Sequence, residues 1–589
     1  MQYLIHRYKP LLFVLLAGLL FYRGSLQGFE LRTDQLDYLT EVREVKGDSL
    51  AILHIYSDYP GYAYVDATGE GIACVDDAAR GIVAYLKHYK HTGREKSLRL
   101  VKHLLSFLFY MQADDGGFYN FIWEDYSRNT DGETSHNRGI TWWTARAIWA
   151  MGYLRYESGN LRIEPERLDS LDRSMARALE KLLQQDWTPD QWQMKYDFKI
   201  PERNWLADGW ANMSSELALG LIYYASATGD DEVDSLARML CDGLAAFQIG
   251  DRSNYPFGLH PDGTRNIHRW HAWGARGTQT LALASRLLQD PNPSWLDAAR
   301  NTADNLYTHM LLTKRISLIE SIPAEASQIN YDMAPVISGL AELHRTTGDE
   351  IYATRAGLYA TWWFGDNPRG VKMYDEENGR FYDGVSPGRW NRNSGGETNT
   401  EGLMALTDLK LLGVDSLAES RETGFHPVLR QELEEFQLIN GHPDTVRQNY
   451  YGDAQISGGV FLRLSPEDTL RGVLNPELNN NDMADYRIFL HLLREPSGSN
   501  SPSLNIRING ELIAELSSAE FATKGESYFW LVPSGKKFRW EENANEIEII
   551  CKGDSGTIAA DIIRYQPVVE RKTWVTTEGD TLSLERSLE

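Results

Sequence analysis

The chain of 589 residues contains only three cysteines, Cys74, Cys241 and Cys551, and they lie far apart. It therefore shows neither a disulfide framework nor a cysteine-based zinc cluster, although one distant pair could still form a bridge. Basic residues are also scarce, because 59 Lys and Arg stand against 83 Asp and Glu, for a net charge of −24. With no basic surface to neutralise phosphates, nucleic acid is not an expected partner.

Only one short apolar run stands out, and it lies at the N-terminus. His6, Arg7 and Lys9 precede LLFVLLAGLLFY, which is followed by RGSLQG. A basic segment, a short apolar core and small residues predict a secretory signal over residues 1–28, and hence a secreted or periplasmic protein. The run is short for a membrane span and the cleavage site is not a clean Ala-x-Ala, so an uncleaved membrane anchor is the alternative.

The rest of the chain is too long for one hydrophobic core, so two or more domains are expected. Apolar residues at three-to-four spacing predict helices over residues 30–415, the first of them at 36–56. Very short turns alternate with long polar loops at 113–139, 187–210, 249–272, 313–331 and 365–395. This alternation is typical of helical hairpins in a ring, and it predicts an (α/α)6 toroid with a functional cleft on its loop face.

Beyond a linker at 416–440 the pattern changes to a period of two. Asn509-Gly510 separates two alternating segments, which is a strong hairpin signal. Several short strands predict a jelly-roll-like β-sandwich over residues 441–567, which we expect to be an accessory domain. Residues 568–589 are expected to form a poorly ordered tail. The predicted fold class is therefore mainly α, a toroid followed by a β-sandwich.

The long loops place carboxylates beside aromatic residues, the combination that a sugar site requires. Carboxylates transfer protons in glycoside hydrolysis, and aromatic rings stack on pyranose faces. The candidate catalytic residues are Asp76, Asp77, Glu133 and Glu397. The candidate substrate-binding residues are His136, Arg138, Trp142, Trp205, Asp208, Trp270, Tyr331, Asp332, Asp383 and Trp390.

Each of these residues also has a purely structural interpretation. Asp76, Asp77 and Asp332 stand at the starts of predicted helices, where acids cap the helix and interact with its dipole. The histidines at 260, 268 and 271 show no regular ligand spacing, so no metal is expected. No other cofactor is expected either.

Several motifs resemble, in the same order, those of a bacterial helical domain that accompanies many glycosyltransferases and also occurs alone. VDDAARGIV resembles its TDDNARALI-type motif, GGFYNFI its G-R-F-H-N-F, and NRNSGGET its N-x-N-x-G-A-E-S. Ala78 stands where that family usually has Asn. The likeness spans most of residues 70–411 and implies a six-hairpin toroid of the glycosidase superfamily. A more distant likeness is to endoglucanase toroids, whose aspartate pair and late glutamate are mirrored by Asp76, Asp77 and Glu397.

These observations predict a glycoside hydrolase that acts on a polysaccharide or oligosaccharide. One carboxylic acid would protonate the leaving oxygen and one carboxylate would activate water. We expect Asp76 or Asp77 as the base and Glu397 or Glu133 as the acid. A polysaccharide lyase or epimerase on the same toroid, and a non-catalytic glycan-binding protein, are the alternatives. A carbohydrate is the expected partner in each case.

Overall fold

The computed structural model describes residues 28–137, 139–323, 327–476, 484–496, 502–542 and 544–589. Residues 1–27 of the predicted secretory signal and Arg138 lie outside the described residues. Within the described ranges, no helix is both long enough and apolar enough to cross a bilayer.

The helices of the first domain begin at residue 34 and end at residue 412. They are α1 (Asp34–Leu39), α2 (Val75–Thr92), α3 (Glu95–Met111), α4 (Trp142–Glu157), α5 (Pro165–Leu183), α6 (Ala211–Thr228), α7 (Asp231–Ala246), α8 (Gly277–Leu287), α9 (Pro293–Asn301), α10 (Thr308–Leu312), α11 (Asn330–Thr347), α12 (Glu350–Tyr359) and α13 (Gly396–Leu412). A π-helical segment, Thr302–Tyr307, joins α9 to α10.

These helices form a closed double ring. The inner helices α2, α4, α6, α8, α11 and α13 each pack against the next, and α13 returns to pack against α2. Helices α3, α5, α7, α9 and α12 pack outside α2, α4, α6, α8 and α11 respectively. Nearly every residue of α4 and α6 is buried, as expected of helices surrounded by protein. The predicted (α/α)6 toroid is confirmed.

Helices α4 and α6 cross with their backbones in direct contact. A Cβ on Gly152 would lie 2.1 Å from the carbonyl oxygen of Gly220, so only glycine fits at this crossing. The inner ring therefore closes tightly around its centre.

Short strands occupy the loops of the toroid. They are β1 (Thr40–Val45), β2 (Asp48–Leu53), β3 (Tyr56–Asp58), β4 (Ala63–Val65), β5 (Ala73–Cys74), β6 (Phe121–Ile122), β7 (Trp192–Lys195), β8 (Phe198–Pro201), β9 (Arg269–His271), β10 (Leu318–Glu320), β11 (Ile322–Pro323), β12 (Gln328–Ile329), β13 (Tyr374–Asp375), β14 (Arg380–Phe381), β15 (Gly384–Ser386) and β16 (Arg389–Asn391).

The prediction of one helix over 36–56 is wrong. The short helix α1 ends at Leu39, and the antiparallel hairpin β1–β2 follows. Lys46 and Gly47 both have positive φ, which is the conformation of a two-residue hairpin turn. The apolar residues of this segment also fit the spacing of a helix, so the period-two alternation of Thr40–Val45 did not stand out in the sequence.

The second domain is built of strands. They are β17 (Arg421–Phe425), β18 (Leu429–Glu432), β19 (Gln437–Asn440), β20 (Asp444–Arg447), β21 (Tyr450–Tyr451), β22 (Ala454–Gln455), β23 (Val460–Leu464), β24 (Thr469–Leu474), β25 (Tyr486–Arg494), β26 (Ser503–Ile508), β27 (Glu511–Ser517), β28 (Tyr528–Phe538), β29 (Asn545–Lys552), β30 (Ile558–Pro567), β31 (Val569–Val575) and β32 (Thr581–Ser587).

Two antiparallel sheets share one buried apolar cluster in this domain. One sheet has the strand order β20-β23-β30-β25-β28 with β18 paired to β30, and the other has the order β19-β24-β29-β26-β27. Leu490 and Ile563 of the first sheet meet Ile506 and Ile549 of the second in this cluster. The predicted turn at Asn509-Gly510 connects β26 to β27, with positive φ at both residues.

The expected linker and poorly ordered tail both form strands instead. In the tail, β31 pairs with β32, and β31 also pairs with β17 from the predicted linker. Trp574 and Leu588 are fully buried and join the apolar core of the toroid. The prediction of a poorly ordered tail is wrong. Although most residues of the tail are polar, the few apolar ones are enough for its hairpin to pack against the toroid.

A buried polar cluster joins the two domains beneath this hairpin. Glu570 on β31 accepts a hydrogen bond from His309 on α10. It also forms an ion pair with Arg586, whose Nη1 lies 2.9 Å from Glu570 Oε2. Arg564 Nη2 lies 3.1 Å from His309 Nε2, so Nε2 accepts and Nδ1 carries the proton. Burial would raise the pKa of Glu570, but His309 and Arg586 lower the pKa to about 2.

We expect Glu570→Gln to destabilise the protein by about 3–5 kcal/mol, because it leaves Arg586 buried without its countercharge. Differential scanning calorimetry measures the effect as a lowered thermal midpoint. Since the pKa of Glu570 is depressed, its stabilisation in the wild type is present above its unfolded pKa and is lost as pH falls towards 2. The exposed Glu585→Gln on the same hairpin is the control and should change little; equal midpoints for the two variants would contradict the interpretation.

Candidate active site

The long loops meet above the inner ring at two adjoining cavities. The acidic pocket, of about 280 Å³, is lined by Asp58, Asp76, Asp77, Asp383 and Glu397 together with neutral and basic residues. The aromatic cavity, of about 470 Å³, is lined by Trp142, Trp210 and Trp273. Trp273, Tyr331 and Glu397 line both cavities, so the two form one continuous cleft.

Helix starts position the carboxylates of the acidic pocket. Asp76 and Asp77 lie in the first turn of α2, where the Cys74 side chain caps the helix by accepting from the Asp77 amide. Glu397 lies in the first turn of α13, which packs against α2. Negative charge at both sites is stabilised by the helix dipoles. Two neighbouring inner helices therefore bring their N-terminal acids to one place.

The guanidinium of Arg80 joins these carboxylates. It is fully buried on α2, and its Nη1 lies 3.0 Å from Asp77 Oδ1. Its Nη2 lies 2.6 Å from Glu397 Oε1, and its Nε lies 3.2 Å from Glu401 Oε1. A single cation thus pairs with carboxylates from both α2 and α13, a role for which the several donors of Arg are suited.

Two further buried arginines extend this arrangement across the ring. Arg146 Nη1 on α4 lies 2.7 Å from Asp76 Oδ1, and its Nε lies 2.9 Å from Glu216 Oε2 on α6. Arg276, immediately before α8, lies 2.6 Å from Glu401 through Nη2 and 3.8 Å from Glu216 through Nε. We call the three arginines and their five carboxylate partners the charge network; its members are Arg80, Arg146, Arg276, Asp76, Asp77, Glu216, Glu397 and Glu401.

The charge network contains more carboxylates than guanidiniums, and burial makes full ionisation costly. Burial, with smaller contributions from Glu397 and Asp76, raises the pKa of Asp77 to about 7 against the opposing effect of Arg80. Burial also raises the pKa of Glu216. Because Oδ1 of Asp77 accepts from Arg80, the proton of its neutral form belongs on Oδ2.

Glu397 and Asp76 are held by donors on the cleft side. Glu397 Oε1 accepts from Trp273 Nε1 at 2.5 Å in addition to Arg80, and 28 % of its side chain is exposed. Asp76 accepts from Arg146 through Oδ1 and from Asn120 through Oδ2. Glu397 is therefore the most accessible of the three acids paired with Arg80.

Tryptophans and a neutral histidine form the walls of the aromatic cavity. Trp142 lies between Trp273, with ring centroids 4.9 Å apart, and Trp210, with centroids 6.4 Å apart. His271 Nδ1 accepts a hydrogen bond from the Trp273 amide, so its proton lies on Nε2. Burial, helped by Arg269, lowers the pKa of His271 to about 4, which keeps the imidazole neutral at physiological pH.

The structure brings six of the predicted site residues to the cleft. Asp76, Asp77, Glu397, Trp142, Tyr331 and Asp383 line it. Asp332 lies just behind, fully buried, with Oδ1 3.6 Å from His271 Nδ1. Burial raises its pKa well above the usual range.

The remaining predicted residues lie elsewhere. Glu133 is exposed and lines neither cavity, while His136 and Asp208 line a separate cavity beside Trp187. Trp205 and Trp270 are buried in the core, where no ring face is available for a sugar. Trp390 packs edge-on against Tyr382, outside both cavities.

Sequence reasoning missed the three arginines as site residues, although they organise the carboxylates. Arg80 follows Asp77 by three positions, which places both on one face of α2 and was the available signal. Nothing in the sequence indicates that Arg276 and Glu401, 125 residues apart, form an ion pair. No group of three or more His, Cys, Asp or Glu side chains in the described ranges is arranged to hold a metal ion.

No family model matches the chain, and no curated protein matches it in sequence. Solved structures do match. A sugar epimerase from a ruminal bacterium is 14% identical, covering 63% of this chain and 94% of its own, with a TM-score of 0.47. The cellobiose 2-epimerase of Bacillus thermoamylovorans is 11% identical, covering 65% and 96%, also with a TM-score of 0.47.

A family 76 glycoside hydrolase from a bovine Bacteroides thetaiotaomicron strain is 14% identical, covering 64% of this chain and 76% of its own, with a TM-score of 0.42. These three matches cover 63–65% of this chain. At these identities and TM-scores they carry nothing about the reaction of this chain.

Gly396 is expected to be essential to the geometry of the acidic pocket. A Cβ there would lie 3.0 Å from Asp77 Oδ2 and 3.0 Å from the His54 carbonyl oxygen. We therefore expect Gly396→Ala to displace α13 from α2 and to cost about 1–3 kcal/mol, as overpacking does. Thermal unfolding measures this loss of stability as a lowered midpoint. Gly388→Ala is the control, because a Cβ at that position would meet nothing within 4 Å. Indistinguishable midpoints for the two variants would show that the contact is unimportant.

Proposed function

We propose that the protein is a glycoside hydrolase that cleaves a neutral polysaccharide or oligosaccharide with two carboxyl groups, Asp77 as acid and Glu397 as base. The observation that carries the proposal is the pair itself. Both carboxyl groups bind one guanidinium in a cleft walled by tryptophans, and burial raises the pKa of Asp77 to about 7. A carboxyl group that can hold a proton, next to a second carboxylate, is what acid–base hydrolysis requires.

Asp77 is the proton donor in this scheme. Its neutral form holds a proton on Oδ2, and it transfers that proton to the glycosidic oxygen as the bond to the anomeric carbon breaks. The expected roles are thus reversed relative to the sequence prediction, which gave the base to the aspartate pair. A donor whose pKa lies near the working pH is the most effective general acid.

Glu397 is the base. It takes a proton from a water molecule whose oxygen attacks the anomeric carbon from the opposite face, and inversion of configuration follows. Arg80 and Trp273 hold its Oε1 in place. Asp76, fixed by Arg146 and Asn120, contributes negative charge next to the positive charge that develops on the sugar ring.

Two features disfavour the lyase and epimerase alternatives. A lyase must neutralise a uronate, but the arginines of the acidic pocket are already bound to carboxylates, and the pocket as a whole is acidic. A histidine base is also lacking among the described residues that line the two cavities, because His271 uses Nδ1 as an acceptor and presents a donor. The pKa of Tyr331 is raised far above the physiological range by burial and then by Glu397.

The tryptophans support a carbohydrate as the ligand. Trp142, Trp210 and Trp273 form a wall on which pyranose faces would stack, as ring faces in a cleft do. The cavity residues all come from the toroid, so the C-terminal sheets, which we interpret as a jelly-roll-like β-sandwich, have an accessory role. Secretion or periplasmic export, and membrane attachment through an uncleaved N-terminal segment, stay predictions from the sequence.

Asp77→Asn and Glu397→Gln are each expected to lower kcat by about 10²–10⁴-fold, the usual contribution of general acid–base catalysis. Reducing-sugar release from a panel of neutral glycans measures the change. The exposed Glu124→Gln is the matched control and should retain wild-type turnover. Wild-type activity in either active-site variant, or an unsaturated product absorbing in the ultraviolet, would refute the proposal.

The pH dependence of kcat/KM follows from the acid. Since the pKa of Asp77 is raised to about 7, the catalytic proton is present below that pH and is lost above it. We therefore expect kcat/KM to fall about tenfold per pH unit above pH 7. A rate that stays constant between pH 7 and 9 would exclude Asp77 as the donor.

A further inference from the structure

The acidic pocket is bounded on one side by a wall of two hairpins. Residues 55–58, which include β3, line the pocket, and so does Asn393, which follows the hairpin β15–β16. We call residues 55–65 together with 389–395 the end wall. Its residues line the acidic pocket and not the aromatic cavity.

Contacts between its two halves hold the end wall in place. The Ser394 amide donates to the Ser57 carbonyl oxygen at 2.9 Å, and the Tyr59 amide donates to Asn393 Oδ1 at 3.1 Å. The guanidinium of Arg392 lies over the ring of Tyr59, 4.0 Å from its centroid. These contacts join segments more than 330 residues apart, so the wall is a fixed part of the fold.

The end wall is also tied to the catalytic helix. The Gly396 amide, at the start of α13, donates to the Ile55 carbonyl oxygen at 2.8 Å. The same turn carries Glu397. The wall and the proposed base therefore keep a constant separation, and the space between them has a fixed size.

The other side of the acidic pocket continues into the aromatic cavity. The two cavities share Trp273, Tyr331 and Glu397, whereas Asp76, Asp77 and the end wall line the acidic pocket alone. At about 280 Å³ the acidic pocket lies at the small end of ligand pockets, which hold roughly 300–1,000 Å³. The aromatic cavity, at about 470 Å³, is larger and has stacking surfaces on its walls.

From this asymmetry we infer that the enzyme acts on chain ends, an inference that rests on the proposed function. One terminal sugar occupies the acidic pocket against the end wall, and the rest of the chain leaves over the tryptophans of the aromatic cavity. The scissile bond lies between the two cavities, beside Glu397, which lines both. Cleavage within a chain would require a sugar where the end wall stands.

Asp58 and Asn393 are the specificity-determining residues in this arrangement. Both belong to the end wall and line the acidic pocket. A terminal sugar carries one hydroxyl group that an internal sugar uses for its glycosidic bond. A carboxylate and an amide at the end wall can bind that free hydroxyl, whereas the substituted form would bring a further sugar into the space that the end wall occupies.

The test uses a neutral hexasaccharide, labelled at its reducing end, of whichever glycan the full-length protein hydrolyses. The products that form from it are followed over time. We expect the monosaccharide and the shortened pentasaccharide as the only products at early times. A simultaneous ladder of trimers and tetramers would overturn the inference and leave the proposed function intact. Absence of hydrolysis on every neutral glycan would instead overturn the proposed function, and this inference with it.

A variant tests the end wall itself. The double substitution Tyr59→Ala with Arg392→Ala removes the contact between the two hairpins and should allow oligosaccharide products longer than one sugar to appear early. Lys552→Ala, an exposed position on β29, is the control and should keep the wild-type product pattern. Circular dichroism checks that the double variant is folded. A folded double variant that still releases only the monosaccharide would show that the end wall does not set the mode of action.

Discussion

The buried guanidinium of Arg80 is the interaction on which the site depends. An ionised carboxylate cannot remain in a protein interior without a partner, and Arg80 supplies one to Asp77, Glu397 and Glu401 at once. Because the cation is shared, it neutralises none of them fully. The remaining negative charge is reduced because the pKa of Asp77 is raised. Among the carboxyl groups of the charge network that line the cleft, Asp77 is the most buried. In the proposed reaction, this structural need for pairing is what produces the proton donor.

The toroid makes this arrangement attainable. Helices α2 and α13 are far apart in sequence but adjacent where the inner ring closes, so the acids at their N-termini converge. Helices α4 and α6 supply Arg146 and Glu216, and the turn before α8 supplies Arg276. A charge network that crosses the centre of the ring resists distortion from any one helix. The C-terminal hairpin adds to this rigidity by covering α10 through Trp574, Leu588 and the buried pair of His309 and Glu570.

Much of the fold could be predicted from the sequence because short-range patterns of residues indicate it. Alternating short turns and long loops predicted the ring, and Asn509-Gly510 predicted the hairpin β26–β27. Acids beside aromatic residues on the long loops, together with the acidic pair at a helix start, predicted Asp76, Asp77 and Glu397 as candidate catalytic residues, and all three line the cleft. Residue type alone could not tell which aromatic side chains face the cleft. The prediction was right for Trp142 and wrong for Trp205, which is buried and donates to the Met239 carbonyl oxygen.

The parts that could not be predicted depend on contacts between distant segments. Whether an acid donates or accepts a proton is decided by its burial and by its neighbours, which is why the roles that we propose for Asp77 and Glu397 are opposite to those predicted from the sequence. The position of Glu133 depends on how one loop folds back, and nothing in its composition reveals that. The end wall joins residues 55–65 to 389–395, two segments that show no relation in sequence.

The central claim is that Asp77 is a neutral acid near physiological pH. A ¹³C NMR titration of the carboxyl carbons in aspartate-labelled protein measures this directly, with the Asp77 signal identified by its absence in Asp77→Asn. We expect that signal to titrate close to pH 7, well above the ordinary range of exposed aspartates. A titration at or below about pH 4, the ordinary range of an aspartate, would contradict the account.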